Sequence, residues 1–220
     1  MRLGAGQPLP QGPLSHGRAG RVRVLSEAER LRLLVACQTS RTPASYPLVL
    51  LALTTAARKN ELRWLRWRDV HLERGTLTCV RTKNGDTRTV PVVGVALQVL
   101  RQWHVRERIP ECDREPDALV FPRPDSKGPV CLLRAWPAAV RRAGITDFHF
   151  HDLRHCAASY LAMSGASIVE LAEILGHKQL NMVKRYTHLS PHHTAQVLTR
   201  MTEQFPLTLP EHEGGSHDRA

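Results

Sequence analysis

The chain has 220 residues, with 31 Lys and Arg against 20 Asp and Glu, and a formal net charge of +11. This excess predicts a polyanionic partner, most simply nucleic acid, although a solvated basic surface is the ordinary alternative. The five cysteines are widely spaced and form no CxxC pair, which excludes zinc-ribbon and disulfide-framework proteins. Since no stretch approaches the roughly 20 apolar residues of a membrane span, we expect a soluble, cytoplasmic chain with one sizeable core.

The two ends of the chain differ in composition from its centre. Residues 1–20 are rich in Gly, Pro and Gln and predict a flexible arm, and residues 205–220 predict a disordered tail. The folded unit is therefore expected over residues 21–204.

The first part of this unit predicts three helices. Ser26 offers an N-cap before an acidic turn, and Leu31, Leu34 and Val35 recur at helical spacing, which predicts a helix over 26–39. Beyond Pro43, the run YPLVLLALTTAA predicts a buried core helix. NELRWLRWRDV predicts a helix with one packed face and one basic face.

The period then changes from helical to alternating. TLTCV and the run from Thr87 to Val92 alternate on either side of the dipeptide Asn84-Gly85, the strongest short hairpin signal. Lys83 is therefore expected on a hairpin turn.

The second half returns to helices. The predicted elements are, in order, a helix in VALQVLRQWHVRER, a short strand in DALVFPR, and helices in LLRAWPAAVRRAGI, HDLRHCAASYLAMSG, SIVELAEILGH, LNMVKRYTHL and PHHTAQVLTRMTEQF. The predicted fold class is mostly α with a small antiparallel β-sheet (α+β).

One phenol lies near several groups that bind phosphate well. Tyr186 follows His177 closely, and His151 and Arg154 are three residues apart, so they project from one face of a helix. A tyrosine hydroxyl, with a free pKa near ~10, attacks phosphorus only when guanidinium and imidazole groups absorb the developing charge. Arg58 is a further donor, and Glu61 either braces its guanidinium or forms a simple i,i+3 ion pair.

Each of these residues also has an ordinary interpretation. Lys83 is a common solubilising turn charge, and His177 is a cation at a helix C-terminus. Tyr186 is a core residue whose hydroxyl reaches water. Their joint order along the chain, with Arg, Lys on a hairpin, HxxR, His and Tyr, favours one shared site.

The segments TTAARKNELRWLRWRDV, RTKNGDTRTVPV, FHFHDLRHCAASYLAMSG and IVELAEILGHKQLNMVKRYTHLS carry this order. Over about residues 21–204 they resemble the catalytic domain of the tyrosine recombinases, the phage integrase family. The resemblance implies the catalytic fold that this family shares with type IB topoisomerases. The catalytic positions it implies are Arg58, Lys83, His151, Arg154, His177 and Tyr186. Ala56, Asn60 and Cys156 depart mildly from the family pattern.

The resemblance also implies a mechanism. Tyr186 would attack the scissile phosphate to give a covalent 3′-phosphotyrosine and a free 5′-hydroxyl, without a metal or any other cofactor. Arg58 and Arg154 would bind the nonbridging oxygens, with His177 as a further donor. Lys83 would protonate the leaving oxygen, and His151 would accept or orient the phenol's proton.

Two further sets of residues are predicted to support this chemistry. Glu61 and His155 are expected to brace the catalytic groups. The residues expected to contact double-stranded DNA are Arg63, Arg66, Arg68, Arg81, Lys178 and Lys184.

Typical family members also have a helical core-binding domain upstream, which we expect to be absent here. The helix over 191–204 resembles one that docks on a neighbouring protomer in the family's tetrameric synapse, or it folds back on its own core. Three functions stay open: a site-specific recombinase or integrase, a truncated remnant that only binds DNA, and a relaxing enzyme like type IB topoisomerases. The LGHxxxxxxxxY spacing favours the recombinase, encoded by a phage or acting at the bacterial nucleoid.

Overall fold

The computed structural model describes residues 23–80, 87–106, 116–125, 128–177 and 179–189, together with 201, 203 and 204. Its elements are α1 (Glu27–Gln38), α2 (Ser45–Thr55), α3 (Lys59–Arg63), β1 (Val70–His71), β2 (Thr76–Val80), β3 (Thr87–Pro91), α4 (Gly94–Arg106), α5 (Ala135–Arg142), α6 (Asp152–Met163) and α7 (Ile168–Leu175). Three 3₁₀ helices cover Trp67–Asp69, Leu180–Met182 and Lys184–Leu189. The predicted fold class, mostly helical with one small antiparallel sheet, is confirmed.

Helix α1 begins where the sequence predicts it to begin, but its packed face differs. The Ser26 hydroxyl accepts from the amide of Glu29, and the Glu29 carboxylate accepts from the amide of Ser26, which completes a capping box. Leu31 and Val35 are exposed, whereas the buried side chains are Leu33, Ala36 and Cys37. The apolar spacing thus located the helix but not the side that meets the core.

Helix α2 is the centre of the main core. Nearly all of its residues are buried, as the uniformly apolar run predicts. It packs against α1, α4 and α6, so the catalytic candidates at the ends of α2 and α6 are supported by the largest apolar cluster. The helix ends at Ala56, whose φ of 53° lies in the left-handed region.

The basic segment after α2 is less helical than its pattern predicts. Helix α3 has only five residues, and the chain then forms a 3₁₀ turn and the short strand β1, which the sequence did not reveal. Leu62 and Leu65 are buried as expected, but Trp64 is exposed and Trp67 is buried in its place. Hydrogen bonds to residues 116–120 hold this segment extended, because they replace the bonds that a longer helix would have made.

The sheet has the order β1-β2-β3 with antiparallel pairing throughout. Thr76 pairs with Pro91 and Val80 with Thr87, as the predicted hairpin requires. The turn itself, residues 81–86, lies outside the described residues. The predicted strand in DALVFPR forms only isolated bridges, one of them between Arg66 and Leu119.

Two other predictions for the second half need comment. LNMVKRYTHL was expected to be an α-helix, but it forms two 3₁₀ helices separated by Val183, which is buried. The predicted final helix over 191–204 falls mostly outside the described residues, although Met201, Glu203 and Gln204 are helical. The predicted arm over 1–20 and the tail over 205–220 also lie outside them.

Candidate active site

Arg154 connects two parts of the chain that are distant in sequence. It lies in the first turn of α6 and is only 5% exposed. One guanidinium nitrogen donates to the carbonyl of Ala56 at 2.6 Å, and the other donates to the carbonyl of Leu175. Burial, followed by the neighbouring charges of Arg58 and Arg88, lowers the pKa of Arg154 to about 9. The end of α2 and the end of α7 are thereby brought to the same buried guanidinium.

Arg58 lies two residues beyond Ala56, at the start of α3. Its side chain is about one-third exposed, and its guanidinium donates to Glu61 at 2.8 Å. The Glu61 carboxylate also accepts from the Arg58 amide at 2.7 Å and from Arg88. Although burial alone would raise it, hydrogen bonds from Arg88 and Arg58 lower the pKa of Glu61 to about 2. The Glu61 carboxylate therefore contacts two arginines, Arg58 and Arg88.

His177 follows the glycine that ends α7. Gly176 has a φ of 60°, the left-handed conformation that glycine adopts without strain. The His177 amide donates to the Ala172 carbonyl at 2.8 Å, which closes the turn and sets the direction of the chain. His177 is half-buried and follows Leu175, whose carbonyl Arg154 binds, by two residues.

Tyr186 is buried, and its hydroxyl has a side-chain partner. It lies in the 3₁₀ helix Lys184–Leu189, is 4% exposed, and its oxygen is 2.7 Å from Nδ1 of His155. Burial raises the pKa of Tyr186, and the charges of Arg185 and Arg154 oppose that rise. The surrounding apolar cluster comprises Ala56, Ala157, Ala158, Ala162, Leu171, Ala172, Leu175 and Val183. Tyr186 is therefore a buried residue, and its hydroxyl contacts the His155 side chain.

The two histidines of α6 lie side by side. The rings of His151 and His155 meet edge to face, with centroids 5.2 Å apart. Desolvation and then the charge of Arg154 lower the pKa of His151, while desolvation and then His151 lower that of His155. The phenol's partner in this structure is His155, whereas the sequence pattern had pointed to His151.

The other predicted site residues have varied surroundings. Lys83, Arg81 and Lys178 lie outside the described residues. Arg66 and Arg68 both pair with the carboxylate of Asp117, which offsets the charge they were expected to offer to DNA.

Arg63 and Lys184 complete the predicted set of DNA contacts. Arg63 donates to the Val130 carbonyl at 2.8 Å and is half-buried, while Lys184 is exposed. Lys184 lies two residues before Tyr186, so it is the described cation of this set closest in sequence to the phenol.

One residue of the cluster was missed from the sequence. Arg88 forms two hydrogen bonds to Glu61 and one to the Ile174 carbonyl. The available signal was its place in the alternation of β3, where Arg88 shares the inward side with the buried Val90. A charged residue at an inward strand position requires a buried partner.

Within the described ranges, no group of three or more His, Cys, Asp or Glu side chains is arranged to hold a metal ion. In the same part of the chain, no helix combines the length and apolar content that a membrane span needs.

Comparisons with solved structures give the fold. The catalytic domain of bacteriophage HP1 integrase superposes with a TM-score of 0.65 at 27% identity, covering 86% of this chain and all of that one. XerA recombinase superposes with a TM-score of 0.66 at 23% identity, covering 90% of this chain and 68% of that one. The fold is that of a tyrosine recombinase catalytic domain.

The sequence comparisons give the family. The model of the phage integrase family matches residues 23–193. The shufflon-specific DNA recombinase of Escherichia coli is 36% identical over 172 residues, which are 78% of this chain and 41% of that protein. The integrase of Salmonella phage P22 is 30% identical over 205 residues, 86% of this chain and 50% of that protein. The chain belongs to the phage integrase family, and it spans about half the length of these relatives.

Proposed function

We propose that this chain cuts and rejoins double-stranded DNA at specific sites through a covalent link between Tyr186 and a 3′-phosphate. The observation that carries this proposal is the pair of bonds from Arg154 to the carbonyls of Ala56 and Leu175, which join Arg154 to the segments that lead into Arg58 and His177. The charge of Arg154 also acts on Tyr186. The net charge of +11 supports a polyanionic substrate. Relatives named as recombinases and integrases, and neighbours described as integrase–DNA complexes, point to DNA.

In the cleavage step, the Tyr186 oxygen bonds to phosphorus and the bond from phosphorus to the 5′-oxygen breaks. The phosphodiester energy is kept in the phosphotyrosine, so the reverse attack by a 5′-hydroxyl reseals the strand. Arg58 and Arg154 carry positive charges that stabilise the nonbridging oxygens in the transition state, and His177 adds a further donor. Lys83 returns a proton to the leaving 5′-oxygen.

The proton of the phenol passes to the imidazole pair of His151 and His155. The 2.7 Å contact from His155 to the hydroxyl supports this route, and the His151 ring lies against the His155 ring. Because Tyr186 is buried, the 3₁₀ helix that carries it must shift outward to meet a phosphate. Self-association on DNA through residues 191–204, and action at the bacterial nucleoid, belong to the same proposal.

The test is covalent trapping on DNA of unknown site preference. The full chain is incubated with a pool of randomised duplexes that carry a nick, so that cleavage near the nick releases a short 5′-hydroxyl fragment and traps the protein. We expect an adduct stable to denaturing electrophoresis with the natural chain and none with Tyr186→Phe. Tyr160→Phe, which removes a hydroxyl bonded to the Leu25 carbonyl, is the matched control and should still form it.

Two results would contradict the proposal. An adduct that persists in Tyr186→Phe would place the nucleophile elsewhere. DNA binding by the natural chain without any adduct would favour the alternative of a remnant that only binds DNA.

A further inference from the structure

Arg88 lies on the inward side of β3, where a charged side chain is uncommon. Its side chain is 11% exposed, and it points to the side of β3 on which Val90 is buried. The proposed cleavage steps do not use it. A buried guanidinium destabilises the fold unless its donors are satisfied, so its partners indicate its role.

The first partner of Arg88 is the carboxylate that also holds Arg58. Two nitrogens of Arg88 donate to the two oxygens of Glu61, each at 3.0 Å. This paired geometry fixes the plane of the carboxylate as well as its position. Since Glu61 accepts from both the amide and the guanidinium of Arg58, Arg88 sets the position from which Arg58 is braced.

The second partner of Arg88 is the end of α7. Its Nε donates to the Ile174 carbonyl at 3.0 Å, while Arg154 donates to the next carbonyl, that of Leu175. The last carbonyls of a helix lack partners within the helix and attract cations. Two arginines therefore cap consecutive carbonyls just before Gly176 and His177.

Gly176 lies directly against the Arg88 side chain. A Cβ at this position would be 2.9 Å from Cδ of Arg88, so any larger residue would displace the arginine. The glycine thus permits both the left-handed turn and the close approach of Arg88 to the helix end. His177 is the next residue in the chain after this contact.

We propose that Arg88 is a positioning residue for DNA cleavage, which fixes Arg58 through Glu61 and His177 through the end of α7. This inference rests on the proposed function of the chain. Arg88 also lies near the start of β3, which pairs with β2. It therefore joins this pair of strands to the two elements that present Arg58 and His177.

A purely structural ion pair would behave differently from a positioning residue. Loss of a structural pair lowers the folded fraction, but the folded molecules cleave at the normal rate. Loss of a positioning residue slows cleavage in molecules that are folded and bound to DNA. The two cases separate when DNA affinity, cleavage rate and local backbone protection are measured on the same variants.

The experiment compares Arg88→Met and Arg88→Lys with Arg32→Met. Arg32 is an exposed arginine whose Nε donates to the Ala143 carbonyl at 2.9 Å, away from this cluster, so its variant is the matched control. Single-turnover cleavage is measured on the nicked duplex pool at saturating concentration, together with DNA affinity. Amide hydrogen exchange is followed by mass spectrometry for residues 171–177, without DNA.

For Arg88→Met we expect a cleavage rate lower by on the order of 100-fold, as small misplacements of reacting groups produce, with little change in affinity. The amides of Gly176 and His177 should exchange faster, while the rest of the chain keeps its protection. Arg88→Lys keeps the charge but cannot form both hydrogen bonds to Glu61 together with the one to Ile174. Its cleavage rate and amide exchange should therefore lie between those of Arg88→Met and those of the natural chain. Arg32→Met should match the natural chain.

Natural rates and natural exchange at 171–177 in Arg88→Met would overturn the inference. If Arg88→Met does not fold, Arg88→Lys decides by the same two measurements. If the natural chain forms no adduct, the proposed function fails, whereas the exchange data still test whether Arg88 holds the turn before His177.

Discussion

Ala56 adopts a backbone conformation that residues other than glycine adopt only with strain. Its φ is 53°, and its carbonyl accepts a hydrogen bond from Arg154. For residues with a Cβ, the left-handed conformation costs roughly 1 to 2 kcal/mol. The hydrogen bond from Arg154 is therefore formed at some expense to the end of α2.

We expect Ala56→Gly to be much better tolerated than Ala52→Gly. Both residues are almost fully buried, so both variants lose a similar methyl group and gain a similar backbone freedom. Only at position 56 does glycine also relieve strain, so the free energy of unfolding should fall by roughly 1 to 2 kcal/mol less than at position 52. Urea unfolding measures both values. Equal losses at the two positions would show that Ala56 stores no strain.

The pKa values of the two histidines beside Tyr186 predict how the cleavage rate depends on pH. Desolvation and nearby positive charge lower the pKa of both His151 and His155. A base with a lowered pKa stays neutral, and able to accept a proton, at more acidic pH. Single-turnover cleavage should therefore hold its rate below the ordinary histidine value of about 6.5 before it declines. A decline centred at or above that value would contradict the proton route through this pair.

At the scale of the elements, the Glu61 carboxylate joins α3 to β3 through its bonds to Arg58 and Arg88, and its protonation should lower the stability of the fold in acid. The pKa of Glu61 is about 2 in the folded chain, compared with an ordinary value of 4.5. Because the folded value is the lower one, the stabilisation is complete above pH 4.5 and is lost as the pH falls toward 2.

Glu61→Gln should therefore be less stable than the natural chain near neutral pH, and the difference should shrink through this window. Unfolding by urea at a series of pH values measures that difference. Glu73→Gln, at an exposed position, serves as the control and should track the natural chain. A difference that stays constant with pH would mean that the Glu61 carboxylate contributes nothing through its charge.

How well an element could be predicted depended on whether its cause was local. The capping box at Ser26 and the left-handed turn at Gly176 are formed by bonds between neighbours in the chain. These two helix ends therefore lie where the sequence predicts them. The segments around Arg66 and Tyr186 do not form the predicted α-helices. Hydrogen bonds to residues 116–120 determine the conformation of the first, and packing on α6 determines that of the second. The exposed side of α1 was misjudged for the same reason, since Leu31 and Leu33 differ only in what lies across from them.

At the scale of the whole molecule, the positive charge should appear in the salt dependence of DNA binding. The logarithm of the binding constant should fall with the logarithm of salt concentration, by about 0.9 for each phosphate neutralised. Lys184→Ala should reduce that slope by about one, because this exposed lysine lies two residues from the proposed nucleophile. Arg141→Ala, exposed on α5, is the matched control and should leave the slope unchanged. A slope near zero for the natural chain would contradict binding through phosphates.

The sequence predicts the members of the candidate site, but it does not predict their contacts. The order of Arg58, HxxR, His177 and Tyr186 carried the resemblance to the tyrosine recombinases, and the family is now shown. Two contacts depend on segments that meet only in the fold. One is the contact between His155 and the phenol, and the other is the pair of hydrogen bonds from Arg88 to Glu61. No periodicity in the sequence encodes such contacts, although an arginine on the inward side of β3 was a usable warning.

The most direct measurement is tandem mass spectrometry of the trapped adduct after nuclease digestion. The chain contains three tyrosines, and two of them, Tyr46 and Tyr160, pack against the main core rather than beside Arg154. We expect a nucleotide attached through its 3′-phosphate to the peptide that contains Tyr186, and to no other peptide. A nucleotide on another residue, or one attached through its 5′-phosphate, would contradict the assignment of Tyr186 as the group that attacks phosphorus.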